Sequence, residues 1–188
     1  MNQIQELIIR RWSPVAFSSE AIEFGKIELL FEAAKWAPSG NNGQPWKFIY
    51  ALKETPDYEV FLDLLDEGNQ VWAKTAPLLV LGLAQVISTY KDRPNRLAFY
   101  EAGLAVSNLL IQATHMDLMV HQMAGYDMER AQEVLHIPVR YQPAAMMAIG
   151  YKGDRSQLPA RVAAREDRER TRKELPEFLV DGAFNSDW

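Results

Sequence analysis

Three stretches of this 188-residue chain concentrate residue types that could hold a ligand. The first is Arg10-Arg11-Trp12-Ser13-Pro14-Val15-Ala16-Phe17. Two guanidinium forks and a hydroxyl at a helix-to-coil junction can clamp a phosphate, the forks through charge-assisted hydrogen bonds and the hydroxyl through a neutral one. An Arg-Arg pair alone more often marks a solvated surface. The second stretch, Ala37-Pro38-Ser39-Gly40-Asn41-Asn42-Gly43-Gln44-Pro45-Trp46, crowds Ser39, Asn42 and Gln44 between a helix end and a strand start. Amides and hydroxyls offer both donors and acceptors, so this group can read the carbonyls and ring nitrogens of a heterocycle. The plainer alternative is a connection built on Asn-Gly turn chemistry. The third joins His121-Gln122-Met123-Ala124-Gly125-Tyr126-Asp127 to the arginines near the C-terminus. Gly125 lets backbone approach a flat ligand, and its N–H could donate to a ring nitrogen. A simple turn is an equally natural reading there.

Other chemistries are absent by inspection. There is no G-x-x-x-x-G-K-[ST] loop and no G-x-G-x-x-G fingerprint. There is no H-E-x-x-H helix and no G-x-S-x-G elbow. His115, His121 and His136 lack metal spacing. Cysteine is missing altogether, which removes disulfides, thiolate zinc sites, iron–sulfur clusters and a cysteine nucleophile. A net charge of -5 gives no electrostatic case for nucleic acid. At 48% hydrophobic and 24% charged residues, the composition is that of a folded globular protein. No metal ligand and no catalytic side chain is assigned. A chain so equipped either binds something or borrows a cofactor's reactivity.

The elements that position these stretches can be read from periodicity. Ile4, Leu7 and Ile8 form a short amphipathic helix ending near Arg10–Trp12, after which Pro14 imposes extended backbone. Ser18 or Ser19 is expected to cap the next helix, with Glu20 in its first turn. Ile27, Leu30, Phe31 and Ala34 give that helix one core face, and Pro38 stops it. Alternation predicts a strand over Trp46–Leu52, and Tyr58, Phe61, Leu62 and Leu65 mark a helix. The apolar runs Leu78–Ala84 and Met146–Tyr151 read as buried strands. Phe99–Met119 reads as one long helix, apolar almost all round, and Met128–Leu135 as a short one. Few strands in irregular alternation with helices predict an α+β fold. Between Lys152 and Glu177, eight basic residues face six acidic ones, so this segment is +2 and the remainder -7. On composition alone such a run is a solvated, salt-bridged surface. The N-terminal arginines follow the apolar residues, the reverse of a signal peptide. The uncharged run Ala102–Met116 is too short to span a bilayer, so a cytoplasmic protein without membrane or nucleic-acid partners is expected.

Taken together, the motifs resemble the FMN-dependent nitroreductase family over nearly the whole chain. The matching pieces are R-x-S-x-x-x-F at Arg11–Phe17, A-P-S-x-x-N-x-Q-P-W at Ala37–Trp46 and G-N-Q-x-W-A-x-x-A-P at Gly68–Pro77. To these are added E-A-G-x-A-x-x-N-L-L at Glu101–Leu110 and P-A-x-x-x-x-I-G-Y at Pro143–Tyr151. The resemblance implies one nitroreductase-like domain over residues 1–188, with a central, mostly antiparallel sheet flanked by helices. It implies FMN as cofactor, NADH or NADPH as reductant, and small-molecule acceptors such as nitroaromatics and quinones reduced by a ping-pong route. Carried over by position, Arg11 and Ser13 hold the FMN phosphate and ribityl end, joined by Arg170 and Arg172. Asn69 contacts the pyrimidine side of the flavin. Met123, Ala124 and Gly125 lie along the ring, with a backbone N–H near N5. Pro38, Ser39, Asn42 and Gln44 arrive from the partner of an obligate homodimer, in which the long helix is core and the segment 152–188 wraps the other chain.

Two positions depart from the family's pattern. Val15 stands where the family often carries Lys or Arg near flavin N1 and O2, so the flavin's reduction potential should fall unless another group compensates. Trp12 stands where Arg or His is frequent and is expected to narrow the site. Val15 also motivates an alternative, a protein that stores or senses FMN without turnover. A structural dimer without cofactor would leave the co-occurring motifs unexplained.

Overall fold

A computed structural model describes residues 4–89 and 92–183. Its described residues build one four-stranded sheet with the order β1-β2-β4-β3, every neighbour pair antiparallel. The strands are β1 (Trp46–Leu52), β2 (Leu78–Gln85), β3 (Met119–Met123) and β4 (Tyr141–Gly150). The helices are α1 (Glu6–Arg10), α2 (Phe24–Lys35), α3 (Pro56–Leu64), α4 (Glu67–Ala73), α5 (Ala98–His115), α6 (Met128–Val134) and α7 (Ala160–Ala163). This is the α+β class that the sequence predicts.

Both faces of the sheet are covered, which explains why β2 shows no polar face. Its side chains alternate with period two: Leu78 and Val80 join the core beneath α2 and α5. Leu79, Leu81 and Leu83 join the opposite core, with α3, α4 and residues 15–17. In β4, Met147 and Ile149 take the first side and Met146 and Ala148 the second. Each of these residues is buried, so the register is fixed by the cost of turning such a set toward water.

Several elements differ from expectation: β4 begins at Tyr141 rather than Met146, and β3 is a strand that no sequence pattern predicts. The helix predicted over Phe99–Met119 ends at His115, because Asp117 adopts a left-handed φ of 58° and turns the chain into β3, where Met119 already pairs with Gly150. The helix expected to be capped by Ser18 or Ser19 begins only at Phe24. Ser18 is held in extended pairing, its N–H donating to the Tyr151 carbonyl at 2.9 Å, and its hydroxyl serves the Glu20 N–H in a local turn instead. Helix α4 escaped the periodicity reading because its first turn is polar and it spans only seven residues.

Beyond β4 the chain runs in short turns around α7. This segment is stitched back to the N-terminus by an antiparallel bridge between Phe17 and Lys152. The Gly153 N–H donates to the Ala16 carbonyl at 2.9 Å. A side chain at 153 would place its Cβ 2.3 Å from the Phe17 carbonyl carbon, so only glycine allows this approach.

Candidate functional site

Arg11 follows the last turn of α1, whose final residue Arg10 is neutralised by Asp117 at 2.9 Å. Arg11 itself donates to the Ser13 hydroxyl at 2.9 Å. Arg170 and Arg172 reach the same place from the far end of the chain and, with Arg11, Ile4, Ile8 and Ile9, line an open cavity. Burial first, then the positive charges of Arg170 and Arg172, lower the Arg11 pKa. Arg170 is fixed by a bond to the Ile9 carbonyl and by stacking at 5.3 Å over the Trp12 ring. Among the described residues, none of these three arginines has a carboxylate partner. Three guanidiniums that cannot shed their charge and lack an acid form a ready seat for a polyanion.

The segment carrying Ser13 is held by side chains distant in sequence. One carboxylate oxygen of Glu166 accepts from the N–H groups of both Val15 and Ala16, the latter at 3.2 Å. His121, on β3, bonds the Pro14 carbonyl through Nδ1 at 2.7 Å. A carbonyl can only accept, so Nδ1 carries the proton and Nε2 is left as an acceptor. Burial is the main influence on His121 and lowers its pKa, with the Pro14 bond opposing. The imidazole leans on Trp72 with ring centres 4.5 Å apart, and Arg165 sits 5.9 Å from the centre of the Trp72 ring. The Trp72 Nε1 is buried and has no hydrogen-bond partner among the described residues.

A second cluster forms where α4 meets the end of β3. The Gly125 carbonyl accepts from the Asp66 N–H at 3.1 Å and from the Asn69 amide at 3.0 Å. A Cβ at 125 would lie 2.5 Å from an Asp66 oxygen and 2.8 Å from the Asn69 amide nitrogen. Asn69 and Gly125, far apart in sequence, are therefore one unit. Ala124 beside them is exposed, and the neighbouring Tyr126 phenol is pushed up to about 12 by burial. Met123, expected along a ring, instead buries its side chain in the core, because the alternation of β3 turns it inward; only its backbone borders the site. Asp66, Gly68, Asn69, Arg161, Val162 and Arg165 line one cleft here. Trp12, Ser13, Val15, His121, Glu166 and Arg168 line another, which shares Arg165.

The loop bearing Pro38, Ser39, Asn42 and Gln44 stands apart from both clusters within one chain. It is shaped from inside: the Ser39 hydroxyl accepts from the Gln44 N–H at 3.0 Å, and the Gly40 N–H donates to Glu101 at 2.8 Å. Glu101 is only 6% exposed and belongs to α5, so the glutamate of the E-A-G motif is explained as a holder of this loop. Asn41, Asn42 and Gln44 all have positive φ, and Asn42 and Gln44 project into solvent.

Thus the structure joins Arg11, Trp12, Ser13, Arg170 and Arg172 in one cluster and Asn69 with Gly125 in another; it keeps residues 38–44 separate. His121, Arg165 and Glu166 escaped the sequence reading as site residues. No local pattern could reveal them, since His121 and Glu166 bond backbone more than a hundred residues away and Arg165 covers a ring 93 residues away.

Comparison with known proteins adds an independent line. The family model described as the nitroreductase family matches residues 8–60 and 50–151. A crystal structure described as an oxidoreductase containing FMN is 35% identical, with a TM-score of 0.92 over 98% of this chain and 94% of its own. An uncharacterized 15.4 kDa protein of Mycolicibacterium smegmatis is 34% identical over 65% of this chain and 81% of its own. A Streptococcus pyogenes protein provisionally named an NAD(P)H nitroreductase is 22% identical over 88% of this chain and 98% of its own.

Proposed function

The chain belongs to the nitroreductase family, and from that premise we propose that it is an FMN-dependent oxidoreductase. It takes hydride from NADH or NADPH and passes it, in a ping-pong cycle, to a nitroaromatic, quinone or related small acceptor. The observation that carries this reading is the acid-free arginine cluster beside Ser13, the donor set that a phosphate monoester fits. The Asn69–Gly125 unit offers a polar edge and a backbone without side-chain bulk, as a flat heterocycle requires. When bound, FMN supplies the two-electron chemistry that no side chain here offers.

The chain's own part is to bind, orient and exclude water. Arg11, Ser13, Arg170 and Arg172 hold the phosphate end, and Trp12 narrows the entrance by its stack with Arg170. Asn69, with the backbone of Met123, Ala124 and Gly125, holds the ring. Pro38, Ser39, Asn42 and Gln44 come from the second copy in a cytoplasmic homodimer. Their loop is tied to Glu101 in the first turn of α5, whereas Arg10 beside the arginine cluster pairs with Asp117 beyond the other end of that helix; this supports the reading, as do the exposed Ile4, Ile8 and Ile9 of the N-terminal segment. Among the described residues no helix is long and apolar enough to cross a membrane.

Purified protein should be yellow, release FMN on denaturation and bleach under anaerobic conditions with NADH or NADPH. Double-reciprocal plots at several acceptor concentrations should be parallel. Colourless protein that FMN cannot reconstitute overturns the reading; flavin that stays oxidised with both donors reduces it to storage.

A further inference from the structure

We propose that Arg165 is the cation that meets the negative charge of the reduced flavin and thereby raises the reduction potential of the bound FMN. The inference rests on the FMN reading above. Hydride from NADH or NADPH delivers one proton and two electrons, leaves oxidised nicotinamide, and makes the flavin one charge more negative. That charge is delocalised over N1 and the C2 carbonyl, at the pyrimidine end. A fixed cation beside this end favours the reduced form over the oxidised one.

The position of Arg165 suits this task. It is the guanidinium, among the described residues, that lines both the cleft of Asn69 and the cleft of Ser13, Val15 and His121. Val15 brings no charge to that wall; its side chain is 2% exposed and packed in the core. Arg165 is held over the Trp72 ring at 5.9 Å and is carried by the turn Ala164–Asp167, anchored through buried Val162. Its charge is unspent. Arg10, Arg130, Arg140 and Arg155 each have an aspartate partner, whereas Arg165 has none among the described residues. The adjacent Glu166 turns its carboxylate to the Val15 and Ala16 N–H groups. Burial, followed by repulsion from Arg168 and partly offset by Glu166, lowers the Arg165 pKa, the mark of a guanidinium that would gain from an anion. Asp66 and Glu166 are the acids lining the two clefts, and neither pairs with it.

The test uses FMN-loaded protein and reads the midpoint potential together with the affinities for oxidised and reduced FMN. Arg165→Met should bind oxidised FMN within about threefold of the parent, while its affinity for reduced FMN falls at least about tenfold further than its affinity for oxidised FMN. For a two-electron couple that ratio lowers the potential by about 30 mV or more. Arg165→Lys should restore most of the shift, since it keeps the charge and loses the fork. An unchanged potential in Arg165→Met overturns the proposal, as does a lysine variant that falls as far as the methionine one. Should Arg165→Met fail to fold or to keep oxidised FMN, Arg165→Gln is read in the same way. Loss of oxidised FMN in both neutral variants assigns Arg165 to general binding and also overturns the proposal. Failure of the parent protein to bind FMN sinks the underlying reading instead.

Discussion

His121 is held by burial in its neutral form, and this gives the protein a defined response to acid. Its native pKa lies below the ordinary imidazole value of about 6.5. Above that pH neither the native nor the unfolded imidazole binds a proton, and the contribution is constant. As pH falls through about 6.5 the unfolded chain takes up the proton first, so stability drops by at most about 1.4 kcal/mol per pH unit. Urea titrations from pH 7.5 to 5 should show this slope, and His121→Gln should flatten it. Glu166 acts on the same segment through its two backbone bonds. Glu166→Ala should destabilise the fold by about 1–3 kcal/mol, the cost of stranding buried donors, while Glu166→Gln keeps an acceptor and recovers most of it. Thermal and urea melts of the pair separate these outcomes. Arg11→Ala should weaken FMN by about 1.5–3 kcal/mol, the range for a charge-assisted bond, as titration calorimetry on reconstituted protein would report. That Arg11 and Ser13 meet was legible in the sequence, because both sit in one compact motif, whereas the meeting of Asn69 with Gly125 spans 56 residues and follows no local pattern. His121, Arg165 and Glu166 were not legible either, because their meaning lies in partners 107 to 151 residues away or in a ring they cover.

At the scale of elements, β1 and β2 read best, whereas β3 carries no pattern of its own and β4 starts before its apolar run. Trp46–Leu52 and the buried run from Leu78 follow from their residue patterns, since side-chain alternation and full burial leave few other solutions. Boundaries set by the backbone read worst: the left-handed Asp117 that ends α5 carries a residue type unremarkable in that position. The withdrawn cap at Ser18 has the same origin, a tertiary pairing that outcompetes a local helix start. That pairing depends on Gly153, where added bulk would meet Phe17 backbone rather than a yielding side chain. Gly153→Ala should therefore cost more than an ordinary surface change, by about 1–3 kcal/mol, and should loosen the Val15–Ser18 amides in hydrogen exchange. By contrast the nearest obstacles at Gly125 are side-chain tips, so a methyl group there is accommodated by breaking the Asn69 bond rather than by moving strands.

For the whole molecule, exposed apolar side chains are the informative surface. Ile4 and Ile8 are more than half exposed, as are Phe178 and Leu179 near the other end. Ile4, Ile8 and Ile9 wall one cavity together, and exposed apolar surface there suits the homodimer proposed above. Ile8→Asp should shift the protein from twice its 21.5 kDa chain mass toward a monomer in light scattering, with loss of FMN in parallel. The α+β class and the separate motifs could be read in advance, and the resemblance already set Arg11 beside Arg170 and Arg172, but the Glu166 clasp and the Phe17–Lys152 bridge by which the two ends meet could not be read. That meeting has a bearing on how the polypeptide is made. The clasp between Glu166 and the amides of residues 15 and 16 cannot close until residue 166 has left the ribosome. All four strands are complete by Gly150, whereas the seat for the phosphate needs residues 166–172, so a chain released from the ribosome at Ala164 should already hold its sheet yet capture no flavin.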